Sequence, residues 1–461
     1  MRIAKNRLMT YSLMAAPWGQ EAVKIMTSAL DAVDPYEATQ RHLERQGNRL
    51  DLNGASFNLA QYQQVYLVGA GKAGVPMARA VVECLGEQVK AGLVIVKDGY
   101  APDDDDLTAA GVEIVEAGHP IPDERGRYGT LRIIKLLEGV KTDDLVVCVI
   151  SGGGSALMHA LVAGVSLQDL QRLTSCLLAV GADIQEINTL RKHLDQIKGG
   201  GLARAASPAQ VVTLILSDVI GDPLDVIASG PTAPDRSTFT DAWAVIKRYE
   251  ILDKVPSSIL EHLQQGMRGE IQDTPKQGDE IFQRVTNCIV GNNSQAAQAA
   301  LEAARRIGYQ GLLLTTELQG EASRAGQTLG ALVRQVKRAR DANTLAKPLC
   351  LVVGGETTVT IAGEGKGGRN QELALGAVEG LAGLDGVALV TLATDGGDGP
   401  TDAAGAVVTG DSFARAKAIG LVPADYLRRN DSYHFFEALD DLIKTGPTLT
   451  NVNDLTFLFI M

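Results

Sequence analysis

Two cations stand where no helical or strand periodicity accounts for them. Lys72 lies inside Gly69-Ala70-Gly71-Lys72-Ala73-Gly74, directly after the apolar run Gln64 to Val68, and Arg369 follows Gly365-Lys366-Gly367-Gly368. A cation framed by glycines, where backbone N–H groups also face outward, suits an anion and above all a phosphate. The design recurs as Ser151-Gly152-Gly153-Gly154-Ser155 after Ile150, as Gly291-Asn292-Asn293-Ser294 after Val290, and as Gly354-Gly355-Glu356-Thr357 after Val353. Any one of these is equally an ordinary tight turn. Their repetition at strand ends is what turns alone do not explain, because ligands of open α/β sheets bind beyond the carboxyl ends of the strands.

Acids accompany the cations. Asp218 and Asp222 follow the run Val211 to Leu216, and Asp395, Asp398 and Asp402 follow Ala393. They offer oxygen ligands to Mg²⁺ or a base to a hydroxyl; helix capping and turn formation are the competing reading. Arg191, Asp195 and Lys198 recur at i, i+4, i+7 just before Gly199-Gly200-Gly201. They either converge on an anion or form a solvated helix face with local ion pairs. His119 and His193 lie near candidate loops, but neither a Ser/His/Asp order nor HExxH is present. The first loop spells GxGxxG, the pattern of a dinucleotide fold. Its expected acidic partner, about 20 residues on, is matched only by the imperfectly placed Asp98. The lysine inside the loop favours phosphate over a hydride site, and GxxxxGK[ST] does not occur.

Near-continuous apolar strands must hold these loops. Gln64 to Val68, Gly92 to Lys97, Val112 to Glu116, Leu145 to Ile150 and Val211 to Leu216 alternate with amphipathic helices such as Pro76 to Leu85 and Gly126 to Leu137. Strands apolar on both faces and separated by helices predict a parallel sheet covered on both sides, a doubly wound α/β domain. Helical segments at Asp241 to Arg248 and Ser257 to Gln264 then lead into polar Gly269 to Asp279. Alternation resumes with Asn287 to Val290, Gly311 to Thr315, Leu349 to Val353 and Val387 to Ala393. The expected division is residues 1–240, a helical and polar connector at 241–285, and a second α/β domain at 286–461.

The balance of the 461 residues excludes other classes. With 43 Lys+Arg against 55 Asp+Glu the net charge is −12, and aromatics are 4%. That argues against a duplex-DNA binder and against base stacking. Glycine numbers 50 without a Gly-X-Y period, so the excess reports loops and not collagen. Cys84, Cys148, Cys176, Cys288 and Cys350 sit in apolar stretches outside metal-ligand spacing and read as thiols in a reducing compartment. No apolar run approaches the ~20 residues of a membrane span. Arg2, Lys5 and Arg7 before Leu8 to Ala16 imitate a signal peptide, but Thr10, Tyr11 and Ser12 interrupt the apolar stretch. A cytoplasmic protein is expected.

Taken together, the chain resembles the two-domain glycerate 2-kinases with a C-terminal MOFRL domain, some of which carry the older label hydroxypyruvate reductase. The resemblance rests on Val68 to Gly74, Ala117 to Glu124, Ile150 to Met158, Asn188 to Ala205, Leu214 to Thr232, Gly354 to Leu373, Ala393 to Ala406, Asn430 to Phe436 and Thr445 to Leu455. One departure is Leu449, where many members have glycine. The resemblance implies a larger Rossmann-like domain, a smaller α/β domain, and an active site in the cleft between them. The implied reaction is phosphoryl transfer from ATP, with Mg²⁺, to the 2-hydroxyl of D-glycerate, with NAD(P)H-dependent hydroxypyruvate reduction as the alternative. The family's active-site lysine and arginine fall on Lys72 and Arg369. Asp218 would take the hydroxyl proton or hold the metal, and Asp222 and Asp395 are further metal candidates. Gly69, Gly71, Gly74, Ser151, Gly152, Gly153, Gly154, Ser155, Arg191, Lys198, Glu356 and Asn370 are the expected phosphate or substrate contacts. The loop Gly365 to Gly368 is expected to be mobile, with the guanidinium of Arg369 and the dipole of the following helix aimed at one anion. No nucleic-acid or membrane partner is expected, and a homodimer is the candidate assembly.

Overall fold

The computed structural model describes residues 5–101, 105–342 and 347–461; Arg2 of the leader-like start lies outside them. The chain forms two compact units, Pro35–Val290 and a second that joins Met1–Asp34 to Gly291–Met461. This division differs from the one expected. The proposed connector carries the helices Phe239–Arg248 and Ser257–Met267, whose Phe239, Ile246, Ile259 and Leu263 share a core with Leu173, Leu190 and Leu194. The first helices leave the neighbouring unit altogether. Gly19–Ala32 packs on Asn293–Arg306, and it is fixed where Tyr309 donates to Glu21 at 2.7 Å and Thr450 to the Val33 carbonyl at 2.6 Å. The periodicity of Ala22, Ile25, Met26 and Leu30 reveals an apolar face, but not which element covers it.

In Pro35–Val290 a six-stranded sheet takes the order Val112–Ala117, Val89–Lys97, Gln64–Ala70, Asp144–Ile150, Gln210–Leu216, Val285–Gly291. The first five run parallel. Numbered along the chain the order is 3-2-1-4-5-6, so the winding reverses between Gln64–Ala70 and Asp144–Ile150. Every residue of Asp144–Ile150 is buried, as a strand covered on both faces requires. Capping boxes start three of the helices: Ser166/Asp169, Asp183/Glu186 and Thr238/Asp241. A small antiparallel meander, Glu44–Gln46, Arg49–Leu52 and Ala55–Asn58, precedes the sheet.

The second unit is built on a mixed sheet in the order Gln310–Leu318, Leu349–Gly355, Asp454–Ile460, Val387–Ala393, Gly405–Thr409, Leu442–Ile443. The C-terminal strand Asp454–Ile460, which the sequence reading leaves unassigned, runs antiparallel between two others. Its first residue therefore lies beside the carboxyl ends of both neighbours, with Asp454 opposite Gly355 on one side and Ala393 on the other. Phe435, Phe436, Phe457 and Phe459 are fully buried in this unit. All five cysteines are free, with Cys148, Cys288 and Cys350 buried and Cys84 and Cys176 half-buried. No helix of the described residues is long and apolar enough to cross a membrane.

Candidate active site

At the reversal of the first sheet, two glycine loops interlock. Ser151 N–H donates to the Ala70 carbonyl at 3.1 Å, Lys72 N–H to the Gly152 carbonyl at 2.9 Å, and Ala73 N–H to Ser151 Oγ at 3.0 Å. Gly71 N–H is used by the Ile95 carbonyl at 3.0 Å. This corrects the reading of Gly69, Gly71 and Gly74 as phosphate contacts through the backbone. These glycines are required by packing: a Cβ at Gly69 would lie 2.1 Å from the Val149 carbonyl oxygen, and one at Gly71, with φ +138°, 2.1 Å from Ser151 Oγ. The dinucleotide reading fails on the same geometry, and Asp98, its candidate acid, is held bidentately by Arg125 at 2.6 and 2.8 Å.

The second loop keeps its donors. Among the described residues no acceptor meets the N–H groups of Gly152 and Gly153, and Gly153 adopts φ +86°. Lys72 is half-buried beside this loop. His119 packs on Gly153 and feels the Lys72 charge; burial first, then Lys72 and Lys97, push its imidazole down to about 4. It is neutral at pH 7. The sequence placed His119 near a loop but gave no sign of this charge relationship.

Lys198, expected as a phosphate or substrate contact, is spent inside the protein. Its fully buried ammonium donates to the carbonyls of Ser155 at 2.9 Å and Met158 at 2.8 Å and lies 3.6 Å from Asp195, so it braces the loop from behind. Ser155 Oγ in turn meets Ser229 Oγ at 2.7 Å. Arg191 is half-buried, and burial lowers its basicity. Asp218 and Asp222 are half-buried in the turn after Gln210–Leu216, which pairs with the strand Asp144–Ile150 that leads into the Ser151–Ser155 loop, and Asp222 adopts φ +55°.

In the second unit Arg369 is the first residue of the helix Arg369–Leu381, yet neither its side chain nor the helix dipole is aimed at open solvent. Its Nε and Nη2 donate to the two oxygens of Asp454 at 2.5 and 3.0 Å, and Nη1 lies 3.2 Å from Glu356. Burial opposes its charge, but Asp454 and Glu356 more than compensate and keep the guanidinium protonated. The helix start is answered by buried Asp398, which accepts from the N–H groups of Asn370 at 3.0 Å and Gln371 at 2.8 Å. Burial pushes the Asp398 carboxyl up to about 6 despite those bonds. Asn370, expected as a substrate contact, is buried and spends its amide on Asp398, and Glu356 serves the arginine. Asp395 accepts from Gly397 N–H at 3.1 Å.

The loop before Arg369 is strapped down, contrary to the expectation of mobility. Asn430 Oδ1 accepts from Ala362 and Gly363 at 2.7 and 2.9 Å, Asp431 from Lys366 N–H at 3.1 Å, and the Arg429 carbonyl from Gly365 N–H at 2.8 Å. The glycines are there to admit this strap, since a Cβ at Gly367 would lie 2.2 Å from Ser432 Oγ.

Comparison with known proteins identifies the family. The family model described as a domain of unknown function (DUF4147) matches residues 21–264, and the MOFRL family model matches 349–454. A glycerate 2-kinase of Pyrococcus horikoshii is 39% identical over 95% of this chain and 96% of its own. The chain belongs to the two-domain glycerate kinase family. A relative from Agrobacterium vitis that carries the provisional name hydroxypyruvate reductase is 43% identical over 86% of each chain. The crystal structure of glycerate kinase from Thermotoga maritima superposes with a TM-score of 0.83 at 40% identity, covering 96% of this chain and 99% of that one. Asp454, the carboxylate that holds Arg369, closes the MOFRL match. Sequence reasoning missed its role because pairing between residues 85 positions apart depends on where the C-terminal strand inserts.

Proposed function

We propose that this chain transfers the γ-phosphoryl group of ATP to the 2-hydroxyl of D-glycerate, giving 2-phosphoglycerate and ADP. The observation that carries the reading is the pair of interlocked loops at the sheet reversal. There the N–H groups of Gly152 and Gly153 keep their donors beside Lys72, while the GxGxxG backbone that a nicotinamide nucleotide needs is consumed. Relatives named glycerate kinases over nearly the whole chain support the same reading.

Catalysis of phosphoryl transfer is chiefly positioning and charge neutralisation. Lys72 supplies a cation to the transferring phosphate, and the neutral imidazole of His119 adds no second positive charge beside it. The Ser151–Ser155 loop binds phosphate oxygens through its free N–H groups. Asp218 accepts the proton of the substrate hydroxyl as the oxygen attacks; in the second unit Arg369, set by Asp454 and Glu356, offers a planar fork for anionic charge. Mg²⁺ usually takes one or two protein carboxylates plus phosphates and water. Among the described residues no three metal-binding side chains gather into a cage. Asp222 in the first unit and, separately, Asp395 in the second are the carboxylates that would hold such an ion, which would neutralise phosphate charge. Five free thiols support a reducing, cytoplasmic setting.

A coupled assay for ADP with D-glycerate and Mg-ATP tests the reading. Glycerate-dependent ADP release is expected. Its absence, together with NADH oxidation on adding hydroxypyruvate, would replace the kinase by a reductase.

A further inference from the structure

The polar groups beneath the Ser151–Ser155 loop include one charge without a counter-charge. Arg191 lies on the helix Ile184–His193, one turn beyond buried Asn188, and that helix packs on the short turn Ile227–Ser229. Asn188 Oδ1 is 3.5 Å from Ser229 Oγ, which touches Ser155 Oγ at 2.7 Å. Three residues apart, Asn188 and Arg191 share the helix face that packs toward Ser229, and the Arg191 charge is felt by Lys198, whose ammonium sits on the Ser155 carbonyl. Among the described residues it makes no hydrogen bond and no ion pair, although its neighbour Lys192 is paired with Asp235 and Lys198 with Asp195. Burial disfavours this half-buried charge, and no described side chain is paired with it to offset that cost.

The backbone beside it is strained as well. Ala228, Ser229 and Gly230 take φ of +49°, +62° and +65° in succession. Two consecutive non-glycine residues in the left-handed region cost roughly 1–2 kcal/mol each. This conformation brings the Ser229 hydroxyl to Ser155.

We infer that Arg191, with the hydroxyls of Ser155 and Ser229 and the amide of Asn188, is the subsite that grips the carboxylate of a small hydroxy acid. The inference rests on the kinase reading for the identity of the acid, D-glycerate. A planar fork matches a planar carboxylate with two parallel hydrogen bonds. The surrounding hydroxyls and amide suit the hydroxyl-bearing carbons of such an acid, and the mobile point charge for phosphate is already supplied by Lys72.

The test is equilibrium binding, which needs no turnover. D-glycerate is titrated by calorimetry against the wild-type chain, Arg191→Gln and Arg191→Lys, and ATP against the same three. Affinity for D-glycerate should fall at least 30-fold in Arg191→Gln and about tenfold in Arg191→Lys, on the scale of a lost charge-assisted bidentate contact. Affinity for ATP should stay within twofold. The melting temperature of Arg191→Gln without ligand should equal or exceed that of wild type, since no protein contact is lost. Unchanged glycerate binding in Arg191→Gln overturns the subsite, and so does an equal loss of ATP affinity, which would make Arg191 a phosphate contact. Glycerate binding that depends on Arg191 in a chain that releases no ADP would sustain the subsite while the kinase reading fails.

Discussion

Arg369 and Asp454 form a fork-to-fork pair in which each carboxylate oxygen takes one guanidinium donor, at 2.5 and 3.0 Å. Asp454 is anchored by strand register between Gly355 and Ala393, so the pair ties the guanidinium to the rigid edge of the sheet. Asp454→Asn keeps the size but removes the charge that orients Arg369. Its kcat should fall about 100-fold, the scale of one misplaced transition-state contact. Asp454→Ala leaves the half-buried guanidinium with Glu356 alone and should also cost about 2 kcal/mol of stability. Steady-state kinetics and urea unfolding check both. A wild-type kcat in Asp454→Asn would show that the pair is structural only.

Lys72 and His119 are linked by charge, and that link is measurable without substrate. The imidazole should titrate near pH 4 by NMR, and in Lys72→Met its midpoint should rise, because one of the charges depressing it is gone. The same variant should lose roughly 10²- to 10³-fold in activity. The unfolded chain protonates this histidine near its ordinary value and the folded chain only near 4. The stability it contributes is therefore complete above about pH 6.5 and declines as pH falls through that window. An unmoved midpoint in Lys72→Met would separate the two side chains.

The Asn430 strap predicts order where glycine content suggests freedom. Asn430 itself adopts φ +52°, so Asn430→Ala both frees Ala362 and Gly363 and adds roughly 1 kcal/mol of backbone strain. Hydrogen exchange at residues 362–366 should accelerate by an order of magnitude or more. Exchange already at the unprotected rate in the wild-type chain would restore the mobile loop.

Most strands and helices were legible because apolar runs and periodicity are local, and Lys72 and Arg369 were legible because no periodicity explains them. What was not legible depends on long-range placement. The glycines of the first loop read as a phosphate cradle until Ser151 and Gly152 are seen to occupy their donors. Asp398 reads as a metal ligand, a base or a helix cap alike until it is found capping Arg369–Leu381, and Asn430 and Asp431 reveal their purpose only when the chain returns to the Gly365 loop. The first 34 residues carry a clear amphipathic helix, yet nothing local says that it joins the distant C-terminal sheet.

Leu449, the departure from the family pattern, adopts φ +62°, which explains why glycine suits that position. Leu449→Gly removes about 1–2 kcal/mol of left-handed strain and gives back about 0.5–1 kcal/mol in unfolded-state entropy. Urea unfolding should therefore show stability unchanged or raised by up to about 1.5 kcal/mol. A loss beyond about 1.5 kcal/mol would mean that the half-buried Leu449 side chain matters more than its backbone.

Phosphorus NMR of the product formed from D-glycerate and Mg-ATP tests the central claim most directly. Phosphorylation at the 2-hydroxyl makes phosphorus couple to the single methine proton, and phosphorylation at the 3-hydroxyl makes it couple to the methylene pair. The account predicts methine coupling, abolished to background in Lys72→Met. Methylene coupling, or no phosphorylated acid from a folded wild-type chain, would contradict it.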